Sequence, residues 1–218
     1  MNVSAGQIEA VVFDVGRVLV QWDLRHLYAR LIDDPAELDW FLAHVVSEDW
    51  HFEHDAGRDL AEMVAERKRQ FPDHAELIDA YATRFAETIP GPVEGTHDLV
   101  RQLAGNGVPL YAITNFAKPF WAQYRASEPL LDLFRDIVVS GVERLAKPDP
   151  AIFDLAGRRF GHRPQAMLFI DDNPANLDAA SALGWQTHLF TGAERLEADL
   201  RGRGLIWRSG PSGRTDCP

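Results

Sequence analysis

Cysteine is nearly absent from this chain. A single one, Cys217, stands among 218 residues, so no intrachain disulfide can form, and a reducing compartment, the cytoplasm, is the expectation. Positive charge is also scarce: 22 Lys and Arg against 33 Asp and Glu leave a formal net charge of -11. Nucleic acids and anionic membranes are bound by clustered cations that neutralise phosphates, so neither is expected as a partner. No apolar run approaches the roughly 20 residues of a membrane-spanning helix, and the opening MNVSAGQIEA lacks the basic-then-apolar pattern of a signal peptide. What is present, 46% hydrophobic and 25% charged residues, suits a water-soluble globular core that needs no staples. The length accommodates one α/β domain with a small insertion, or one larger domain, since domains commonly run about 100 to 200 residues.

The chain reads as an alternation of strands and helices, interrupted once. Val11-Val12-Phe13 is a short apolar run that halts at Asp14, the pattern of a buried parallel strand running into a loop. Leu24, Leu27, Tyr28 and Leu31 then recur at helical spacing, and Leu38, Phe41, Leu42 and Val45 do so after Asp34-Pro35, a helix-start signal. Two more helical faces carry Leu60, Met63 and Val64, then Leu77, Tyr81 and Phe85. Pro90-Gly91-Pro92 breaks the periodicity and reads as the hinge that ends an all-helical insertion over residues 20–89. Beyond it, a helix carrying Leu99, Val100 and Leu103 is closed by Gly105-Asn106-Gly107 and leads into an apolar run at 110–113. Strands are expected again at 137–139, 167–170 and 187–190, with helices between them carrying Ile152 and Phe153, then Leu177 and Ala180. This alternation specifies an α/β fold: a doubly wound parallel sheet formed by residues 1–19 and 90–207. The Gly-, Ser- and Pro-rich tail, 208–218, is expected to be disordered.

In an open α/β sheet, ligands bind beyond the carboxyl ends of the strands, so the residues that follow each apolar run carry the chemistry. Asp14 follows the first run, Thr114-Asn115 the second, Lys147 comes a short loop after the third, and Asp171-Asp172 follow the fourth. A carboxylate, a hydroxyl, a cation and an acidic pair then share one mouth. Phosphoryl transfer asks for such a set, because most of its catalysis is positioning and charge neutralisation. Asp14 can attack phosphorus to form an aspartyl-phosphate, and Lys147 and Thr114 can contact phosphate oxygens together with backbone donors near Asn115. Carboxylates crowded against Asp14 repel one another, and a cation that accepts carboxylate and water ligands while leaving room for phosphate would hold them ionised; Mg²⁺ is expected. Taken singly, each residue has a structural reading. Asp14 could cap a turn, Asp171 could cap the helix that begins near Pro174, and Lys147 could be a solvated loop cation.

The segments VVFDVGRVL, AITN, AKPDPAIF and FIDDNPAN resemble, in order and spacing, the four motifs of the haloacid dehalogenase superfamily. The resemblance implies a Rossmann-like core with a helical cap inserted after the first motif, as in its first subfamily, the cap being residues 20–89. It implies Asp14 as nucleophile, Thr114, Asn115 and Lys147 as substrate-binding groups, with Lys147 also catalytic, and Asp14, the Gly16 carbonyl, Asp171 and Asp172 as metal ligands. The expected substrate is a small phosphorylated metabolite, acted on by a monomer or homodimer.

One position departs from the pattern. Most phosphatases of that family carry a second Asp two residues after the nucleophile as general acid and base, and this chain has Gly16. Proton transfer of this kind is worth about 10²- to 10⁴-fold. A branch resembling sugar-1-phosphate phosphatases carries Gly here, and its TNxxxxxFW stretch is echoed by Thr114-Asn115 and Phe120-Trp121. Alternatively a residue of the loop 50–55, Trp50-His51-Phe52-Glu53-His54-Asp55, stands in, with Trp50 facing the substrate. Two further readings stay open: a metal-independent 2-haloacid dehalogenase, in which Asp14 displaces halide and no acid is needed, and a non-catalytic binding protein on a degenerate form of the fold.

Overall fold

The computed structural model describes residues 7–207. Its centre is a five-stranded sheet, all parallel, in the order β3-β2-β1-β4-β5. The strands are β1 (Ala10–Phe13), β2 (Leu110–Thr114), β3 (Asp136–Val139), β4 (Met167–Asp171) and β5 (Gln186–Leu189). β1 lies in the middle because its four residues are apolar and wholly buried, fit for a strand covered on both faces. Its alternate residues serve two cores. Val11 and Phe13 join Leu99, Val100, Leu103, Leu196 and Leu200 on one face, while Ala10 and Val12 join Ile152, Phe153, Phe160 and Leu177 on the other. The expected doubly wound sheet is therefore present.

Eleven α-helices are described, and six of their starts are written in capping side chains. In chain order they are α1 (Leu24–Tyr28), α2 (Pro35–His44), α3 (Glu48–Asp55), α4 (Leu60–Gln70), α5 (Ala75–Arg84), α6 (Thr96–Gly105), α7 (Lys118–Ser127), α8 (Ser140–Glu143), α9 (Pro150–Phe160), α10 (Pro174–Ala182) and α11 (Ala193–Gly202). Asp23, Asp34, Ser47, Asp59, Asp149 and Asn173 each accept a hydrogen bond from a first-turn N–H. Pro follows the cap in α2, α9 and α10, where its missing N–H costs nothing. The segment Trp50 to Asp55, expected as loop, is most of helix α3. The tail 208–218 lies outside the described residues.

Between β1 and α6 the described residues hold α1 to α5 and no strand, only isolated bridges of Val20 with Gly16 and Pro92. The two passages linking this helical segment to the sheet run side by side. Gln21 N–H donates to Gly91 O at 2.9 Å, Asp23 N–H to Thr88 O at 3.1 Å and Val93 N–H to Leu19 O at 3.0 Å. The segment buries Leu27, Phe41, Met63, Ile78 and Tyr81 in a core of its own, which continues onto Phe116, Ala117, Phe120 and Val139 beside the sheet. That continuity seats the helices over the carboxyl end of the strands.

Candidate active site

Parallel register brings the strand ends level. Phe13 pairs with Ala112 on one side and Ile170 on the other, so Asp14 and Asp171, one residue on, and Thr114, two residues on, reach the same edge of the sheet. Asp14 N–H donates to Ile170 O at 2.8 Å, which fixes the turn of chain that carries the carboxylate.

Lys147 sits at the centre. Its side chain is 1% exposed, and Nζ lies 2.8 Å from Asp14 Oδ1 and 2.7 Å from Asp171 Oδ2. Asn115 holds its backbone at two points, Nδ2 donating to Lys147 O and Oδ1 accepting from Lys147 N, both at 2.9 Å. Burial opposes the charge on Lys147, but Asp14 and Asp171 outweigh it and lift the ammonium above its ordinary value. Val15 N–H also donates to Asp14 Oδ1, at 2.7 Å, so Lys147 and the backbone engage the same oxygen of a carboxylate that lines the cleft.

Asp171 is fully buried and saturated with donors: Asn173 N–H at 2.8 Å, Asn176 Nδ2 at 3.1 and 3.0 Å, and Lys147. Asp172 is half-buried on the cleft wall. Asp14, Asp171 and Asp172 each offer an oxygen within 4.8 Å of the others. Burial, and then the charge of Asp171, outweigh Lys147 and push the Asp14 carboxyl up to about 7; burial and Asp171 likewise raise Asp172. Three carboxylates within 4.8 Å of one another, two of them lining the cleft, beside one buried ammonium are a donor set that suits a hard divalent cation.

The cleft above them has a volume of about 470 Å³. Asp14, Gly16, Asn115, Lys147 and Asp172 form its floor, and Trp22, His51, Phe52, Asp55 and Phe85 its roof. Thr114, 1% exposed at the end of β2, is not among the lining residues, whereas its neighbour Asn115 is. Trp50 does not face the cleft: it packs at 4.8 Å against Tyr81 beneath α3, and Trp22 occupies the wall instead. At Gly16 a Cβ would meet nothing within 4 Å, so no crowding excludes a side chain there. The sequence offers residues 50–55, as a loop, to stand in for the acid missing at Gly16 without singling out a pair; the signal that unites His51 and Asp55 is Ser47 followed by two acids, a helix start that puts residues 51 and 55 one turn apart.

This fold and site define a hydrolase class. The model of the haloacid dehalogenase-like hydrolases matches residues 8–184, and the chain belongs to that family. A sesquiterpene phosphatase of Aspergillus oryzae is 26% identical over 189 residues, covering 81% of this chain and 86% of that protein. A phosphoglycolate phosphatase of Yersinia pseudotuberculosis is 32% identical over 132 residues, 60% of this chain and 54% of its own, so the chain spans about half of that relative. Among solved structures, the magnesium complex of a family enzyme from Bacteroides thetaiotaomicron superposes with a TM-score of 0.69 at 19% identity, covering 90% of this chain and 100% of that one. An L-2-haloacid dehalogenase superposes at 0.60 with 22% identity, covering 84% and 86%. At such identities the fold is shared and nothing finer follows.

Proposed function

We propose that the protein is a Mg²⁺-dependent phosphatase that hydrolyses a small phosphorylated metabolite, such as a sugar 1-phosphate, through an aspartyl-phosphate on Asp14. The observation that carries this is the meeting of Asp14, Asp171 and Asp172 around Lys147 at the carboxyl edge of the sheet. A dehalogenase displacing halide from carbon would need no such concentration of negative charge.

Asp14 Oδ2 is the attacking atom, because Oδ1 is engaged by Lys147 and Val15 N–H. Lys147 neutralises charge gathering on the phosphoryl oxygens, and the Asn115 clamp fixes its height. Thr114 and Asn115 would contact the phosphoryl group. Asp14, Asp172, Asp171 and the Gly16 carbonyl would hold the cation, with Asp171 reaching it at the expense of its bond to Lys147. When bound, the ion keeps the carboxylates ionised and draws charge from the phosphate oxygens. Residues 20–89 act as the cap: Trp22, Phe52 and Phe85 face the organic part of the substrate and exclude water from the intermediate.

The test is phosphate release from a panel of sugar 1-phosphates, acyl phosphates and other small esters, with Mg²⁺ and with EDTA, beside chloride release from both enantiomers of 2-chloropropionate. Phosphate release lost in EDTA is expected. Chloride release insensitive to EDTA, without phosphate release, would replace the reading by the dehalogenase. Neither activity would leave a binding protein.

A further inference from the structure

Gly16 leaves the floor of the cleft without a proton donor for the leaving group, and the roof presents a relay in its place. α3 carries His51 and Asp55 one turn apart, both 5% exposed and both lining the cleft. The His51 ring stacks with Trp22 and with Phe85, at centroid distances of 4.8 and 5.5 Å. Its Nδ1 lies 2.7 Å from the Tyr81 hydroxyl and its Nε2 3.0 Å from Asp55 Oδ2. Burial keeps the Tyr81 hydroxyl protonated; with Tyr81 assigned as donor to Nδ1, the ring proton lies on Nε2, facing Asp55. The remaining atom, Asp55 Oδ1, is buried and has no hydrogen-bond partner among the described residues.

A pair built only to hold α3 together would have no use for such an atom. Buried polar atoms without partners are destabilising and few in native proteins. An acid in the last turn of a helix also faces the negative end of its dipole. The main chain of Asp55 is meanwhile tied to the floor: Ser140 Oγ donates to Asp55 O at 2.6 Å and accepts from Phe116 N–H at 2.9 Å, one residue beyond the Asn115 that clamps Lys147.

We propose that Asp55, oriented by His51 and Tyr81, is the general acid and base for which position 16 has no side chain. This rests on the phosphatase reading above and deepens it. In the first step Asp14 Oδ2 bonds to phosphorus, the bond from phosphorus to the organic oxygen breaks, and the Asp55 carboxyl proton passes to that oxygen. In the second, water bonds to phosphorus and gives a proton to the Asp55 carboxylate as the bond from phosphorus to Asp14 breaks. Ester and water become alcohol and phosphate, and both aspartates return to their starting forms. Asp55 touches the reacting oxygen and is catalytic; His51 and Tyr81 are positioning residues.

A series of aryl phosphates graded by the pKa of the departing phenol tests this through the slope of log kcat/KM, which reports the first chemical step. Asp55→Asn is expected to lose about 10²-fold or more on the poorest leaving group and less than about 10-fold on the best, giving a steeper slope than wild type. An equal loss across the series, or none, overturns the assignment while the phosphatase reading stands. Absence of phosphate release by the wild type itself overturns both. Should Asp55→Asn not fold, His51→Gln decides the same point: a slope steeper than wild type supports the relay, and an unchanged slope overturns it.

Discussion

The two walls of the cleft are built on opposite principles. The floor is ionic: Lys147 lies at hydrogen-bond distance from both Asp14 and Asp171, which parallel register brings to the same edge of the sheet, and all three are buried. The roof is aromatic and helical, with its polar atoms organised by side chains, His51 between Tyr81 and Asp55, and with its charges at the rim, where Arg17 pairs with Glu48. The charged groups sit at strand ends and on the loop clamped to them, whereas the groups facing them sit in the helical segment between β1 and α6. The difference predicts that floor substitutions act on chemistry and, where they leave a buried charge unpaired, on stability as well, whereas roof substitutions act on one of them.

The largest effect falls on the nucleophile. Asp14→Asn is expected to lower phosphate release by on the order of 10⁴-fold or more, with an unchanged circular dichroism spectrum and a urea midpoint no lower than wild type, since one of three mutually repelling carboxylates is neutralised. Turnover near the wild-type level would reduce the floor to a binding site. Lys147→Met comes next, because it strands two buried carboxylates; a loss of about 3–5 kcal/mol in urea unfolding of the metal-free protein at neutral pH is expected. A cost below about 1 kcal/mol would mean that the floor is not held by charge at all.

The third test uses proton linkage. The Asp14 carboxyl stands at about 7 in the folded chain, chiefly through burial, against an ordinary value of 3.8. Between those values the folded state holds a proton that the unfolded state releases, so metal-free stability falls as pH rises through this window and the penalty is complete above it. A cation that takes the proton's place should therefore stabilise more at high pH. Millimolar Mg²⁺ is expected to raise Tm by several degrees at about pH 8 and hardly at all near pH 5. An equal shift at both would place the ion away from Asp14.

How far the sequence foretold each wall follows the same division. The floor was legible because a parallel strand is an apolar run whose end is marked in one dimension: Phe13 gives way to Asp14, and Ile170 to Asp171. β5 was shifted by a residue because Gln186, Thr187 and His188 are only half-buried and carry no apolar signal. The roof was much less legible. EDWHFEHD shows no clear apolar stripe, since beside Trp50 α3 buries the polar side chains of His51, His54 and Asp55, which bond one another, the Arg58 carbonyl and the distant Tyr81 hydroxyl. Its start was nonetheless written in Ser47, whose hydroxyl accepts from Trp50 N–H, and in the acids that follow. α7 passed unremarked because no side chain caps it and its Phe120-Trp121 was read as motif rather than as helix.

Where roof and floor are joined, the effect should be intermediate. Ser140→Ala removes the hydroxyl that accepts from Phe116 N–H and donates to Asp55 O, and leaves both backbone groups in a buried place without that partner. A cost of about 1–3 kcal/mol in urea unfolding is expected. Ser140→Cys, close in size but a weak hydrogen-bonding group, should restore little; full restoration would mean that volume, not the bond, matters there.

The smallest effect belongs to the rim. Arg17 leaves the floor loop at φ 59, lies over the Trp22 ring at 4.8 Å and pairs with Glu48, the first residue of α3. The pair spans the cleft mouth but is exposed, 40% for the arginine and 57% for the glutamate side chain, so its contribution to stability is within about 1 kcal/mol. Glu48→Gln should accordingly leave Tm unmoved and change KM by no more than about five-fold, the equivalent of that 1 kcal/mol. A larger rise or fall in KM at constant Tm would mean that the two walls part during turnover and that this pair latches them, since only a contact broken and remade in the cycle can weigh more on catalysis than on folding.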